Sequence, residues 1–92
     1  MNQLIITYDI SNNKLRTQFS KYLCKFGYRL QYSVFEIRNS DRILENIKTK
    51  ITGYFEKKFE QCDSVIIFHL GINTERIRFG YAKNEETDLI IL

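Results

Sequence analysis

Asp9 closes an apolar, largely β-branched segment, Leu4-Ile5-Ile6-Thr7-Tyr8-Asp9-Ile10, in which it is the only acidic side chain. Aspartate is depleted in strands, so something other than local conformational preference holds it there. Two roles suit a carboxylate at a strand end. It can cap the turn that follows, Ser11-Asn12-Asn13, and on spacing alone this is the better reading. It can also hold a divalent cation, provided that a second carboxylate is brought to it. A second chemical signal follows directly. Between Ile10 and Phe35 there is no acidic side chain, while Lys14, Arg16, Lys21, Lys25 and Arg29 are all basic. Such a run creates a local positive potential that favours phosphate backbones and makes binding salt-dependent. It is equally readable as a solvated helix face.

Other candidates carry less. His69 is the only histidine and lies inside an apolar strand pattern, which suits a packed or interface residue better than a general base. Cys24 and Cys62 lack both C-x-x-C spacing and a zinc-ligand pattern with His69, so both read as packing residues. The segment Arg76-Ile77-Arg78-Phe79-Gly80-Tyr81 resembles an RNA-stacking strand in composition but not in order. An edge strand guarded by charge explains its arginines.

These side chains must be positioned by a small chain. Ninety-two residues, 43% of them hydrophobic and 14% aromatic, support one domain spanning 1–92. A chain of that size buries only roughly 60–65% of its unfolded surface and gains from oligomerising. The net charge of +3 says little about partners. No apolar run approaches the roughly 18 residues of a membrane span, and the N-terminus lacks the pattern of a signal peptide, so the expected location is cytoplasmic.

Alternation in residues 3–10 puts Leu4, Ile6, Tyr8 and Ile10 on one strand face and Ile5, Thr7 and Asp9 on the other. Helical spacing then takes over at Leu15, Phe19, Tyr22, Leu23 and Phe26, with Asn12 or Asn13 as N-cap and Gly27 placed for a left-handed C-terminal residue. Residues 28–38 read as extended, with no Gly or Pro to turn on. They form either one long bent strand or two short ones meeting near Ser33. A second helix is predicted over 41–59, with Leu44, Ile47, Ile51, Tyr54 and Phe55 inward and Ser40 as cap. Asp41 opposes the positive end of its dipole, and Lys57 and Lys58 suit its last turn. Gly53 should weaken it by about 1 kcal/mol relative to Ala. Strands are expected over 64–70 and 76–81, joined by a turn around Gly71–Thr74, with a final apolar stretch at 89–92.

That order suits an α+β sandwich with helices on one face of a mostly antiparallel sheet. If the helices cover the Leu4/Ile6/Tyr8 face, Asp9 lies on the other. The strands at 4–10 and 65–70 are apolar on both sides, as in a sheet covered on both faces. A two-fold dimer stacking two open sheets would cover them and bring the two Asp9 residues near the axis.

Tyr8-Asp9-Ile10, followed by Gly27, Arg29, Gln31, Ser33, Val34, Phe35 and Glu36 as Gly-x-Arg-x-Gln-x-Ser-Val-Phe-Glu, resembles the CRISPR-associated protein two family of small dimeric spacer-acquisition subunits. The resemblance implies a ferredoxin-like βαββαβ sandwich with an additional C-terminal strand. It also implies a two-fold homodimer in which residues 87–92 pair with the partner chain. Asp9 becomes the metal-binding and catalytic carboxylate, with Mg²⁺ or Mn²⁺ as cofactor, which reverses the capping preference. Arg16 becomes a phosphate contact and Arg29 the basic residue of the second motif, with Lys14, Lys21 and Lys25 adding diffuse attraction. Gln18 departs from the family, which often has a basic residue there. Tyr8, Ser33 and Phe35 support the site, although Phe35 reads equally as core or dimer packing. Alternation places Arg29, Gln31, Ser33 and Phe35 on one face, expected to be that of Asp9.

The expected function is therefore CRISPR adaptation. The dimer would bind DNA or RNA and bridge the CRISPR integrase, with Mg²⁺-dependent endonuclease activity as an added capacity. The alternative is a metal-dependent endoribonuclease acting on single-stranded RNA, including a toxin-type messenger-RNA interferase. No membrane association is expected.

Overall fold

The computed structural model describes residues 2–71 and 74–80. Strand β1 (Asn2–Asp9) alternates as its sequence requires: Leu4, Ile6 and Tyr8 are buried, and the residues between them are partly or fully exposed. Helix α1 (Asn13–Cys24) begins on Asn12, whose side-chain oxygen accepts from the Leu15 N–H at 2.8 Å. Leu15, Phe19 and Leu23 form its buried stripe.

Gly27 corrects one expectation. It is not a left-handed cap, since positive φ among the described glycines occurs only at Gly71 and Gly80. Helix α1 ends on Lys25 in right-handed geometry, and Gly27 opens strand β2 (Gly27–Gln31). A glycine is required there for space. A Cβ would stand 2.2 Å from the Glu36 carbonyl oxygen and 2.6 Å from Ile37 Cγ1 on the neighbouring strand.

Strand β3 (Val34–Asn39) follows a turn at Tyr32-Ser33, so residues 28–38 are two short strands. Register shifts between Arg29 and Gln31 mark a bulge, and the irregularity lets the chain reverse without Gly or Pro. Helix α2 (Asp41–Lys50) is capped by Ser40, whose Oγ accepts from the Ile43 N–H at 3.4 Å. The expected helix over 41–59 changes character on the way. Beyond Lys50 the chain widens into a π turn (Ile51–Phe55) and tightens into a 3₁₀ turn (Glu56–Lys58). Gly53 sits exposed in the π turn.

Strands β4 (Ser64–Leu70) and β5 (Glu75–Gly80) complete an antiparallel five-stranded sheet in the order β2-β3-β1-β4-β5. Both helices lie on one face. There Leu4 is opposite Ile37, Ile6 is opposite Phe35 and Ile67, and Tyr8 is opposite Val65. Phe19 joins α1 to the sheet and to the π turn through edge-on contacts with Tyr8 at 5.0 Å and Phe55 at 4.9 Å. The expected terminal strand at 87–92, and its exchange with a partner, lie outside the described residues.

The other sheet face is partly apolar: Ile5, Thr7, Ile66, Phe68 and Leu70 are only half-buried. Near its β2 edge Glu36 accepts from the Tyr28 hydroxyl at 2.7 Å, from Gln3 Nε2, and from Arg38 Nε at 3.2 Å. Bonded chiefly by Tyr28 and then by Gln3 and Arg38, the carboxyl is held below its ordinary value of 4.5. A lowered folded-state value stabilises above the unfolded one and is lost as pH falls through it. Urea midpoints should therefore drop more in the native chain than in Glu36→Gln as pH falls from about 5 to about 3, the two curves converging in acid. Parallel curves would mean that the cluster contributes nothing to acid sensitivity.

Candidate nucleic-acid and metal site

The β1–α1 turn is tied down by a residue far away in the chain. Asp63, only 1% exposed, accepts at Oδ1 from the Ser11 N–H and hydroxyl, each at 3.0 Å, and at Oδ2 from the Glu60 N–H at 2.9 Å. Asp63 thus does the capping that spacing alone assigned to Asp9. Asp9 ends β1 exposed, on the face opposite the helices, and its side chain makes no hydrogen bond or ion pair among the described residues.

Arg16 is fixed on the same turn. Its Nη1 donates to the Ile10 carbonyl at 2.8 Å and to the Ser11 carbonyl at 3.4 Å, and its Nη2 donates to Asn13 Oδ1. Arg29 reaches across from β2. Its Nη1 donates to the Tyr32 carbonyl at 3.1 Å, its Nη2 donates to Ser20 Oγ at 3.1 Å, and its guanidinium lies 5.3 Å from the centre of the Phe35 ring. Both cations are held through neutral acceptors, so each keeps its full charge for an anion.

These side chains meet around two adjoining clefts. One of 510 Å³ is lined by Tyr8, Asp9, Ile10, Arg16, Tyr32 and Ser33. The other, of 220 Å³, is lined by Tyr8, Arg16, Thr17, Ser20, Arg29 and Tyr32. Tyr8 forms the shared wall: its N–H donates to the Ser33 carbonyl at 3.1 Å and its hydroxyl to the Tyr32 carbonyl at 3.4 Å. Burial pushes the Tyr8 phenol up, opposed by Arg29, so it stays protonated at neutral pH and serves as a donor.

Several sequence expectations change here. Phe35 does not share a face with Asp9. It lies opposite Ile6 in the buried layer and is 0% exposed. Arg29, its partner across β2 and β3, belongs to that layer too, and the bulge moves Gln31 into register with Val34. Arg29 therefore lines the cleft on the helix side, bonded to Ser20 of α1, and not the one that holds Asp9. Lys14, Lys21 and Lys25 are not at these clefts. They line the groove between α1 and the segment after α2, because their spacing on α1 turns them away from the Arg16/Ser20 side. Cys24 and Cys62 are exposed rather than packed, one at the outer end of α1 and the other in the turn before Asp63. His69 is half-buried on the helix side of β4, opposite Glu75.

Sequence reasoning passes over Tyr32, Ser20 and Asp63. Tyr32 is 68% exposed with its backbone oxygen held by two donors. No local signal marks Asp63, whose partner Ser11 is 52 residues away. Among the described residues no three His, Cys, Asp or Glu side chains converge on a metal-sized space. What the described residues offer at these clefts is one exposed carboxylate, Asp9. That fits a water-rich divalent cation shared between two chains better than an all-protein cage.

A family model for "CRISPR associated protein Cas2" matches residues 1–77. Two proteins named CRISPR-associated endoribonuclease Cas2 illustrate the similarity. That of Mycobacterium tuberculosis is 30% identical over 67 residues, covering 73% of this chain and 56% of that protein. That of Thermus thermophilus is 36% identical over 55 residues, covering 60% and 58%. The matched region thus spans just over half the length of these relatives. In fold, the crystal structure of the hypothetical protein TT1823 from Thermus thermophilus superposes with a TM-score of 0.65 at 24% identity, covering 80% of this chain and 87% of that one. With the motif residues placed and most of the chain matched, this protein belongs to the Cas2 family of CRISPR-associated proteins.

Proposed function

We propose that the chain is a CRISPR adaptation subunit: a ferredoxin-like domain that forms a two-fold homodimer, binds nucleic acid and bridges the integrase, with metal-dependent endonuclease activity as a second capacity. One observation carries the reading. The exposed Asp9 carboxylate, free of hydrogen bonds and ion pairs among the described residues, shares a cleft with the anchored Arg16, and Arg29 lines the adjoining one. The arginines suit a phosphodiester. Asp9 suits Mg²⁺ or Mn²⁺, which would polarise the phosphate and supply an activated water when two chains bring their carboxylates together. The half-buried apolar residues of the open sheet face are the surface that such a dimer would cover. Lys14, Lys21 and Lys25 add attraction from further round the molecule. The site of action is the cytoplasm.

The names of the relatives favour the second reading, a metal-dependent endoribonuclease on single-stranded RNA, and both readings use the same cleft. The adaptor reading is preferred because one carboxylate per chain is a minimal catalytic apparatus. Its test is the Arg16→Ala plus Arg29→Ala double variant. The log–log salt slope for duplex binding should become shallower by about 1.8, at about 0.9 per lost phosphate contact, uniformly across sequences. New-spacer insertion in cells supplied with the integrase should fall with it. An unchanged slope would place the binding surface elsewhere.

A further inference from the structure

The lysines that left the Asp9 cleft form a feature of their own. Lys14 and Lys58 line one end of the groove between α1 and the π turn, and Lys21, Lys25 and Lys50 line the other. No carboxylate lines either end. Helix α1 carries no acid at all, and the nearby Glu56 is turned away to accept from the Gly80 N–H at 2.8 Å. Neither of the two salt bridges among the described residues involves these lysines.

The groove is also built. Gln18 Nε2 donates to the Tyr54 hydroxyl at 3.2 Å, tying α1 to the π turn. Lys50 and Lys58 lie 4.6 and 5.0 Å from the centre of the Tyr54 ring, and Lys25 and Lys50 each lie 5.9 Å from that of Tyr22. The rings hold the ammonium groups in place through their electron-rich faces. Those faces are thereby taken and present no platform for a nucleobase. Along α1, Lys14 to Lys25 covers about 16 Å at 1.5 Å per residue, the rise of about five base pairs.

We infer that this groove is a second nucleic-acid surface, separate from the Asp9 cleft, that takes the phosphate backbone of a duplex without reading its sequence. Uncompensated ammonium groups in a row call for a polyanion, and with no ring face open to bases nothing rewards unstacked single strands. Duplex carries the denser charge, about one per 1.7 Å. The inference extends the nucleic-acid-binding reading above but does not depend on Asp9, Arg16 or Arg29.

The test is the Lys14→Gln, Lys50→Gln, Lys58→Gln triple variant, titrated with a 30-base-pair mixed-sequence DNA duplex between about 50 and 200 mM salt. The log–log slope should become shallower by up to about 2.7, equally for a duplex of different sequence, and additively with the arginine double variant. The matching Lys→Arg triple should retain the wild-type slope, which separates lost charge from lost structure. A wild-type slope in the Gln triple overturns the inference. So does tighter binding of poly-glutamate than of duplex at equal charge concentration, lost in the Gln triple, which would assign the groove to an acidic protein. Loss of slope in the lysine variant with none in the arginine variant would keep the groove and remove the Asp9 cleft from binding.

Discussion

Asp9→Asn is expected to lower Mg²⁺- or Mn²⁺-dependent phosphodiester hydrolysis by more than the roughly 100-fold that loss of a mere outer-shell partner costs. Both the Lewis acid and the activated water depend on the metal that this carboxylate would hold. Because the Asp9 carboxylate makes no hydrogen bond or ion pair among the described residues, removing its charge breaks no contact that supports the fold. Its neighbourhood is held by Asp63 through Ser11 and by Arg16 through the Ile10 carbonyl. Dimerisation and duplex binding should therefore persist, and relief of repulsion between two facing carboxylates should raise stability in the absence of metal. Spacer insertion in cells is expected to survive. A folded, dimeric Asp9→Asn protein that still binds the integrase but no longer inserts spacers would make Asp9 chemistry essential and reject the adaptor reading. Unchanged hydrolysis would remove the metal from Asp9.

Phe35→Ala is expected to cost about 3–5 kcal/mol, the usual range for deleting a buried phenyl ring. Phe35 is 0% exposed, lies opposite Ile6, and has the Tyr8 ring 6.2 Å away. In a domain this small 1 kcal/mol moves the melting midpoint by about 4–8 °C, so a fall of at least about 12 °C should appear in thermal melts. Phe35→Leu should cost less, since it leaves a smaller cavity. The pair also decides what the motif aromatic does. If Phe35 only packs, the Leu variant will bind duplex with the wild-type salt slope. A shallower slope in a well-folded Leu variant would show that the ring positions the Arg29 guanidinium at 5.3 Å.

Much of this protein follows from local rules acting on short stretches of chain. The alternation of Leu4, Ile6 and Tyr8 against Ile5, Thr7 and Asp9 sorts β1 into a core face and an open face because successive strand side chains point oppositely. The stripe of Leu15, Phe19 and Leu23, and the caps Asn12 and Ser40, are likewise properties of short windows, and each stands where its window places it. The same logic fails where a second segment takes part. Gly27 looks like a helix terminator in sequence, but what selects glycine is the Glu36 carbonyl across the hairpin. Period-two counting groups Phe35 with Arg29 but does not say which sheet face they take; strand pairing puts Phe35 opposite Ile6, away from the expected Asp9 face, and the bulge between Arg29 and Gln31 breaks the count within β2.

The site divides in the same way. The Tyr8-Asp9-Ile10 and Gly27 to Glu36 motifs are visible as spellings, and the acid-free run from Ile10 to Phe35 is visible as charge. Only the tertiary structure parts that charge into Arg16 at the Asp9 cleft, Arg29 in the cleft adjoining it, and Lys14, Lys21 and Lys25 in a groove with Lys50 and Lys58. Composition decides how much charge a segment carries. Which charges act together is decided by helix rotation and by the distant elements packed against each side.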